Sequence, residues 1–543
     1  MLTDMDNRYN KSFATGRTIS PFGSSQSAST KTYARMWKVF LLIAFIFVAG
    51  NANDCVPRSF GENNIVCVCN STYCDNTPVS RPKIPKNGTF YWYVSTKEGD
   101  RLKLTKGQLA SNKKRLSADE TVVIDTTKKY QQILGFGGAF TDSAGINIKS
   151  LSQATQEQLL RTYFDQKTGS RYAFGRVPIG GSDFSTRPYT YDDVEGDTTL
   201  ANFSLASEDY NYKIPLMQKA LKLNNQLKFF GAAWSAPPWM KTNNKINGFG
   251  FLKKEYYQLY VDYLLKFLDA YKSNNLDVWG ISTGNEPSNA FIPNDPLSTM
   301  GWTPQTVAKW VGQYLGPTLA KSAHKRTKIL AHDDQRVELP WFVDAMLKDV
   351  DARNYTSGIA VHWYFDAFAP ASVLDKLHDQ FPEKFILMTE ACEGAQTNDV
   401  ILGSWERGQH YILSIIEYLN NWSIGWVDWN LALDKEGGPN WINNTVDSSI
   451  IVNPETDEFF KQPMYYAIHH CSRFIDRGSV RVSASNSTCI KSTAVVTPSE
   501  EVVVVLYNNC TSAKDVTLKD SQKGKNINVN IPALSMNTLI YAK

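Results

Sequence analysis

Two glutamates in this chain stand where chemistry could be displayed. Val278 to Pro287 reads V-W-G-I-S-T-G-N-E-P, an apolar run that looks like a buried strand and stops at Asn285, Glu286 and a proline. Further along, Phe385-Ile386-Leu387-Met388-Thr389-Glu390 is a second apolar run that ends in an acid. One carboxylate at a strand end reads as a solvated loop residue. Two of them, on strands of one parallel sheet, can point into the same space. Paired carboxylates flanking a bond are what glycoside hydrolysis needs. One is protonated and donates to the leaving oxygen, and the other is ionised and attacks C1 or activates water. Their surroundings must split their pKa values so that each holds its role at one pH.

The elements that would position them follow from the pattern after Ile133, where apolar strand-like runs alternate with helical stretches. Eight such runs are Leu134–Ala139, Phe174–Pro178, Phe229–Trp234, Val278–Thr283, Ile329–His332, Ile359–Trp363, Phe385–Thr389 and Ile424–Trp429. Glu255–Ser273 and Ser404–Leu419 carry apolar residues at helical spacing. Eight β units separated by helices imply an α/β fold, a (β/α)₈ barrel, whose catalytic groups sit at the C-terminal ends of the strands. Glu286 follows the fourth run and Glu390 ends the seventh, so both reach one face. Asn285 fits as a donor to a substrate hydroxyl beside the scissile bond. Other strand ends offer Arg176, Asp183, Trp234, His362, Tyr364, Asp428, Trp429 and Asn430. Arg176 is suited to pairing with a carboxylate and setting its pKa.

Before the barrel, Thr89–Tyr93, Leu102–Thr105 and Thr121–Ile124 read as short strands, and from Ser479 the chain returns to short strands without helices. These two parts are expected to combine into an accessory β-sandwich. Lys491–Val496 and Val502–Tyr507 read as a hairpin about Pro498-Ser499-Glu500-Glu501. A turn centred between Ser499 and Glu500 would set Cys489 opposite Cys510, within disulfide reach.

Other chemistries fit less well. The net charge of +4 comes entirely from residues 1–52, so nothing suggests a nucleic-acid partner. The seven histidines are scattered, His469-His470 is adjacent rather than at ligand spacing, and no metal or cofactor site is expected. Gly135-Phe136-Gly137-Gly138 lacks the G-x-G-x-x-G spacing of a dinucleotide loop. Gly280 to Gly284 matches G-x-S-x-G, but Ser282 lies within an apolar run rather than on a turn into a helix.

The N-terminal region points to the secretory pathway. Val39–Ala49 is an apolar run preceded by Arg35 and Lys38 and followed by Gly50-Asn51-Ala52, the pattern of a signal peptide beginning near Met36, with residues 1–35 as an upstream extension. Cys55, Cys67, Cys69 and Cys74 crowd together just after it, as a small disulfide module would. Sequons begin at Asn70, Asn87, Asn202, Asn354, Asn421, Asn443, Asn486 and Asn509, as in a glycoprotein.

From about Cys55 onward the chain closely resembles the acid β-glucosidase (glucosylceramidase) branch of glycoside hydrolase family 30. The resemblance is carried by C-V-C-N-S-T-Y-C-D at 67–75, G-F-G-G-A-F-T-D at 135–142 and R-V-P-I-G-G-S-D-F-S at 176–185. It continues in N-E-P-S at 285–288, D-D-Q-R at 333–336, A-V-H-W-Y at 360–364 and T-E-A-C at 389–392, then G-W-V-D-W-N-L-A-L at 425–433 and G-G-P-N-W at 437–441. It implies a retaining, metal-free β-glucosidase that cleaves glucosylceramide to glucose and ceramide, with an acidic optimum. Glu286 would be the acid/base and Glu390 the nucleophile. Asp183, Trp234, Asn285, Trp429 and Asn444 would bind the glucosyl ring, Tyr364 would contact the nucleophile, and Arg176 and His362 would support. It implies the pairs Cys55–Cys67 and Cys69–Cys74. It also implies residence in the lysosome or secretion, action on glucosylceramide in membranes, and a saposin-like activator protein with anionic lipid as partners. The expected division is a leader (1–52), a disulfide-bearing antiparallel sheet module (53–78 with 431–462), a sandwich (79–130 with 478–543) and a catalytic barrel (131–430 with 463–477). The chain departs from a mammalian member in two places. Gly284 stands in place of an acid, and Asp295 and Leu297 stand in place of two aromatics at the site mouth, which puts the aglycone lip in question.

Overall fold

The computed structural model describes residues 54–76, 85, 88–111, 118–397 and 399–543. The leader expected over residues 1–52, most of the linker that follows the cysteine module, and the sequon at Asn87 lie outside these residues.

Eight parallel strands close into a barrel in chain order. They are β1 (Gly135–Ala139), β2 (Phe174–Pro178), β3 (Lys228–Ala232), β4 (Val278–Ser282), β5 (Lys328–Gln335), β6 (Thr356–His362), β7 (Phe385–Glu390) and β8 (Ser423–Asn430). Each apolar run read from the sequence overlaps one of them. Such strands are covered by helices outside and by side chains inside, so they read as unbroken apolar runs. Every residue of β2 and β8 is buried. Phe174, Phe230, Leu330, Ala360, Leu387 and Val427, from six different strands, form one buried cluster that fills the interior. A large apolar side chain fully buried in this way contributes roughly 1.5–3 kcal/mol.

Glycine lets the barrel close. A Cβ on Gly137 would sit 2.2 Å from the Phe174 carbonyl oxygen, and one on Gly425 would sit 2.2 Å from that of Gly135. The G-F-G-G run therefore serves strand packing. Among the outer helices, Tyr257–Ser273 buries Tyr257, Tyr260, Val261, Leu264, Phe267, Leu268 and Tyr271, the stripe its spacing foretold. Trp405–Asn420 is capped by Ser404, whose hydroxyl accepts the Arg407 N–H.

A ten-stranded ladder joins Thr89–Thr96 and Glu120–Gln132 to the C-terminal strands. Phe90, Ile124, Val504, Leu518, Ile527 and Leu539 share one buried cluster although they come from distant positions in the ladder, so the sheet wraps around a core of its own. Within it, Ile490–Val496 pairs with Glu501–Asn508, with Ile490 opposite Asn508 and Val496 opposite Val502. This register is one residue off the expected one. The loop is Pro498–Glu500 rather than four residues, because Thr497 and Glu501 already pair and Glu500 takes the left-handed conformation (φ 60°). Cys489 thus faces Asn509. The Cys489–Cys510 bridge forms nonetheless, with Cα atoms 5.3 Å apart.

Pro57–Ser59, Ile65–Asn70, Glu458–Lys461 and Ile450–Asn453 form a four-stranded antiparallel sheet. Cys55–Cys67 and Cys69–Cys74 staple its N-terminal strands. The helix Pro463–Ser472 docks on the sandwich through His470, whose ring nitrogens lie 2.9 Å from the Ser95 and Thr538 hydroxyls. Burial pushes this histidine down to about 3, so it is a neutral core residue.

Candidate active site

The C-terminal ends of the strands open into a cavity of about 170 Å³. It is lined by Asp183, Trp234, Asn285, Glu286, Tyr364, Glu390, Trp429 and Asn444, together with Asn289, Leu297, Gln335 and Phe365. All the residues expected to be catalytic or to bind the substrate thus meet in one place. Arg176 and His362 are fully buried and touch the two glutamates. Asp428 and Asn430 do not line the cavity. Side chains alternate along a strand, so with Trp429 inside, its neighbours face away. Asp428 accepts from Tyr411 (2.8 Å) and Ser449 (2.5 Å), and Asn430 accepts from Thr141 (2.6 Å).

Glu286 sits just beyond β4 with φ 40° and ψ 60°. A left-handed non-glycine residue at a functional site costs on the order of 1–3 kcal/mol and is held by its surroundings. Here the Glu286 N–H donates to the Asp333 carbonyl (3.0 Å), and the Glu286 carbonyl accepts from the Asn289 N–H (3.0 Å). The side chain is held by three donors. His362 Nδ1 (2.8 Å) and Gln335 Nε2 (2.7 Å) reach Oε1, and Asn289 Nδ2 (2.8 Å) reaches Oε2.

Glu390 ends β7 itself. Arg176 Nη1 pairs with its Oε2, and the Tyr364 hydroxyl donates to its Oε1 (2.8 Å). His362 Nδ1 is 4.0 Å from Oε1. One oxygen of Glu286, one of Glu390 and a His362 nitrogen all lie within 4.8 Å of one another. So close an approach lies nearer the separation of about 5–5.5 Å found in retaining pairs than the wider spacing that accommodates a water between two carboxyl groups.

Beneath the pair lies Asp333, a residue the sequence reading quoted within D-D-Q-R but gave no role. It accepts from Arg176 Nη2 (3.1 Å) and Thr389 Oγ1 (2.7 Å), and lies 3.2 Å from His362 Nε2. It is presented by a bulge in β5, where the register shifts between His332 and Asp334 and both His332 and Asp333 have positive φ. The same bulge carries Gln335 to Glu286. A polar run ending an apolar strand was the available signal.

Electrostatics ties the cluster together. Burial alone would lower the His362 imidazole, but Glu390, Asp333 and Glu286 outweigh it and push it up to about 10. Burial opposes ionisation of Asp333, yet Arg176 and His362 hold its carboxyl well below the usual range. Burial pushes the Glu390 carboxyl up, with Arg176, His362 and Tyr364 acting against it. Two cations, Arg176 and His362, thus face three carboxyl groups, and one proton among the three makes the cluster neutral. Both nitrogens of His362 face carboxylates, so the ring offers no lone pair to a metal, and Cys69 and Cys74, which lie beside Asp75, are spent in a disulfide.

One wall of the cavity is built of aromatic and polar groups. Trp234 and Trp429 stack with centroids 5.1 Å apart and flank the Arg176 guanidinium at 5.0 and 5.1 Å. Asn285 Oδ1 accepts from Arg176 Nη2 (2.7 Å), which turns its amide NH₂ toward the cavity as a donor. Asp183 accepts from Asn444 Nδ2 (2.9 Å). Burial, with the Glu390 charge behind it, pushes Asp183 up to about 7.

A closed parallel barrel with paired glutamates at the ends of its fourth and seventh strands defines a glycoside hydrolase. Comparison with known proteins agrees. Residues 133–475 match the Glycosyl hydrolase family 30 TIM-barrel domain and residues 478–539 the Glycosyl hydrolase family 30 beta sandwich domain. The chain belongs to glycosyl hydrolase family 30. It is 42% identical over 521 residues to the lysosomal acid glucosylceramidase of Mus musculus, covering 94% of this chain and 99% of that protein. It is 40% identical to putative glucosylceramidase 3 of Caenorhabditis elegans over 93% and 99% of the two chains. Among solved structures it resembles the endo-beta1,6-glucanase BT3312, with a TM-score of 0.74 and 27% identity over 84% of this chain and 100% of that one.

Proposed function

We propose that this chain is a retaining β-glucosidase that hydrolyses glucosylceramide to glucose and ceramide. The observation that carries the reading is the close approach of Glu286 and Glu390 above the Arg176–Asp333–His362 cluster. Glu390, ionised against Arg176 and Tyr364, attacks C1 as Glu286 passes its proton to the glycosidic oxygen and the lipid alcohol departs. Glu286, now a carboxylate held by His362, Gln335 and Asn289, takes a proton from water. That water attacks C1, and Glu390 leaves. Asp183, Trp234, Asn285, Trp429 and Asn444 hold the glucosyl ring.

The lipid half of the substrate is supported by the rim. Asp295 and Leu297 remove aromatic surface from the loop after β4, but Phe249, Phe251 and Phe291 supply it nearby. Their centroids lie 5.0 to 5.7 Å apart, and Phe249 and Phe291 are 66% and 49% exposed. Phe291 lies in the short helix that starts right after Glu286, and Phe365 and Phe368, in the loop after β6, form a second exposed pair. Exposed rings beside a cavity suit acyl and sphingoid chains at a membrane surface. No helix among the described residues is long and apolar enough to cross a membrane. Three disulfides, and sequon asparagines none of which is buried among the described residues, support passage through the secretory pathway to the lysosome or the exterior. A saposin-like activator and anionic lipid fit the same reading. We further assign residues 131–430 with 463–477 to catalysis, 79–130 with 478–543 to the sandwich and 53–78 with 431–462 to the disulfide module.

The test uses glucosylceramide in vesicles and a fluorogenic aryl β-glucoside. Glu390→Gln should abolish turnover of both. Glu286→Gln should cost about 10²–10⁴-fold on the lipid, whose alkoxide needs a proton, and less on the aryl glucoside, whose phenolate leaves unaided. Full activity of Glu390→Gln would remove it as nucleophile. The likeness to a β-1,6-glucanase supports a second reading, a β-glucan substrate. Release of glucose from the β-glucan but not from the lipid would favour it.

A further inference from the structure

Seven sequons begin within the described residues, but only Asn443 is the sequence neighbour of a cavity-lining residue. Asn443-Asn444-Thr445 lies in the loop after β8. Asn444 donates to Asp183 inside the cavity, and consecutive Cα atoms lie about 3.8 Å apart, so whatever Asn443 carries emerges at the rim. The loop is held firmly. Asn440 Oδ1 accepts the N–H groups of Ile442 (2.9 Å) and Asn444 (3.0 Å), and its Nδ2 donates to the Asn444 carbonyl. Asn443 itself is exposed, and its amide makes no hydrogen bond among the described residues, so a substituent on Nδ2 breaks none of them. Its φ of 57° accounts for asparagine at this position, but not for a threonine two residues on.

We propose that Asn443 carries an N-linked glycan that walls the cavity mouth beside the loop after β2. The placement follows from the loop's own contacts. It crosses from β8 to the end of β2, where the Trp441 Nε1–H donates to the Ser182 carbonyl (2.9 Å) and Asn444 Nδ2 donates to Asp183 (2.9 Å). In forming the site, Asn443 Nδ2 bonds to C1 of an oligosaccharide held on a polyprenyl diphosphate, and the diphosphate and one proton leave. The rim then carries exposed phenylalanines after β3, β4 and β6 and a carbohydrate beside the loop after β2. An amphipathic glycoside enters with its lipid along the phenylalanines, and a bulky hydrophilic aglycone is turned away by the glycan. The site rests on the secretory reading given above.

The test expresses the full chain in a eukaryotic secretory host and maps every sequon by glycopeptide mass spectrometry. Asn443→Gly, which keeps the positive φ, and Thr445→Ala each remove the acceptor, and native treatment of the wild-type protein with a peptide N-glycosidase strips the glycan without mutation. Two substrates are compared, a small fluorogenic β-glucoside and the same glucoside tethered to polyethylene glycol. We expect Asn443 occupied, kcat/KM for the small substrate unchanged in all three preparations, and kcat/KM for the tethered one raised severalfold. A bare Asn443 beside occupied sequons elsewhere overturns the proposal and leaves the secretory reading standing. Bare asparagines throughout overturn both. An occupied Asn443 whose removal leaves the ratio of the two substrates unchanged overturns the glycan as a wall.

Discussion

Removing a single hydroxyl should move the pH profile of the enzyme in a calculable direction. The Tyr364 hydroxyl donates to Glu390 Oε1 at 2.8 Å, and the ring is packed at the cavity wall beside Cys392. Tyr364→Phe deletes that donor and little else. A hydrogen bond to a charged group contributes about 1.5–3 kcal/mol, and the open mouth lets water replace part of it, so the lower figure applies. At 1.36 kcal/mol per unit, the Glu390 carboxyl rises by about one pH unit. Glu390 must be ionised to attack, so the acid limb of kcat/KM, which reports the free enzyme, moves to higher pH by that amount. The alkaline limb, which Glu390 does not set, stays in place. The assay is kcat/KM for the aryl glucoside across the acid range. A uniform fall with both limbs unmoved would refute the reasoning, because Tyr364 would then act on the substrate and not through Glu390.

Three further outcomes follow from the same geometry. Arg176→Met leaves Glu390 and Asp333 buried without their cation, and breaking a buried pair in this way costs about 3–5 kcal/mol. Thermal or denaturant unfolding should show that loss together with a collapse in activity. Asp183 is raised to about 7 when folded, so it binds its proton more tightly folded than unfolded, and its contribution to stability is present at acid pH and lost as pH rises from about 4 to 7. The Tm of Asp183→Asn relative to wild type should therefore improve from pH 4.5 to pH 8, and an offset independent of pH would contradict the shift. Replacing Cys489 and Cys510 with serine opens a loop with a sequence separation of 21. Chain entropy puts the loss at about 3 kcal/mol, and denaturant unfolding checks it.

Much of this site was legible before the fold. The barrel strands are covered on both faces, and that leaves an apolar run no other element imitates at such regular intervals. Glu286 and Glu390 were found because each stops such a run. Period-two alternation also held the clue that Asp428 and Asn430 could not share the cavity with Trp429, although all three end one strand. The missed residues have local causes. Asp333 and Gln335 are aimed by a bulge, and Asn289 by the turn after Pro287. A backbone with positive φ at His332, Asp333 and Glu286 is not readable from residue types, since even Asp and His adopt it only in a minority of positions. The hairpin slipped by one residue for the same reason, since Glu500 adopts a conformation expected of glycine. The phenylalanine lip was invisible because Phe249 and Phe251 are far in sequence from Phe291 and meet it only where the loops after β3 and β4 adjoin.

By itself the sequence determined the order of eight buried strands, the face on which their ends lie and the two carboxylates displayed there, because solvent exclusion acts on side chains one strand at a time. The tertiary structure alone decided the charge state of those carboxylates. Arg176, Asp333, His362 and Tyr364 come from three different strand ends, and Coulomb interactions depend on separation in space across a buried cluster rather than on separation along the chain.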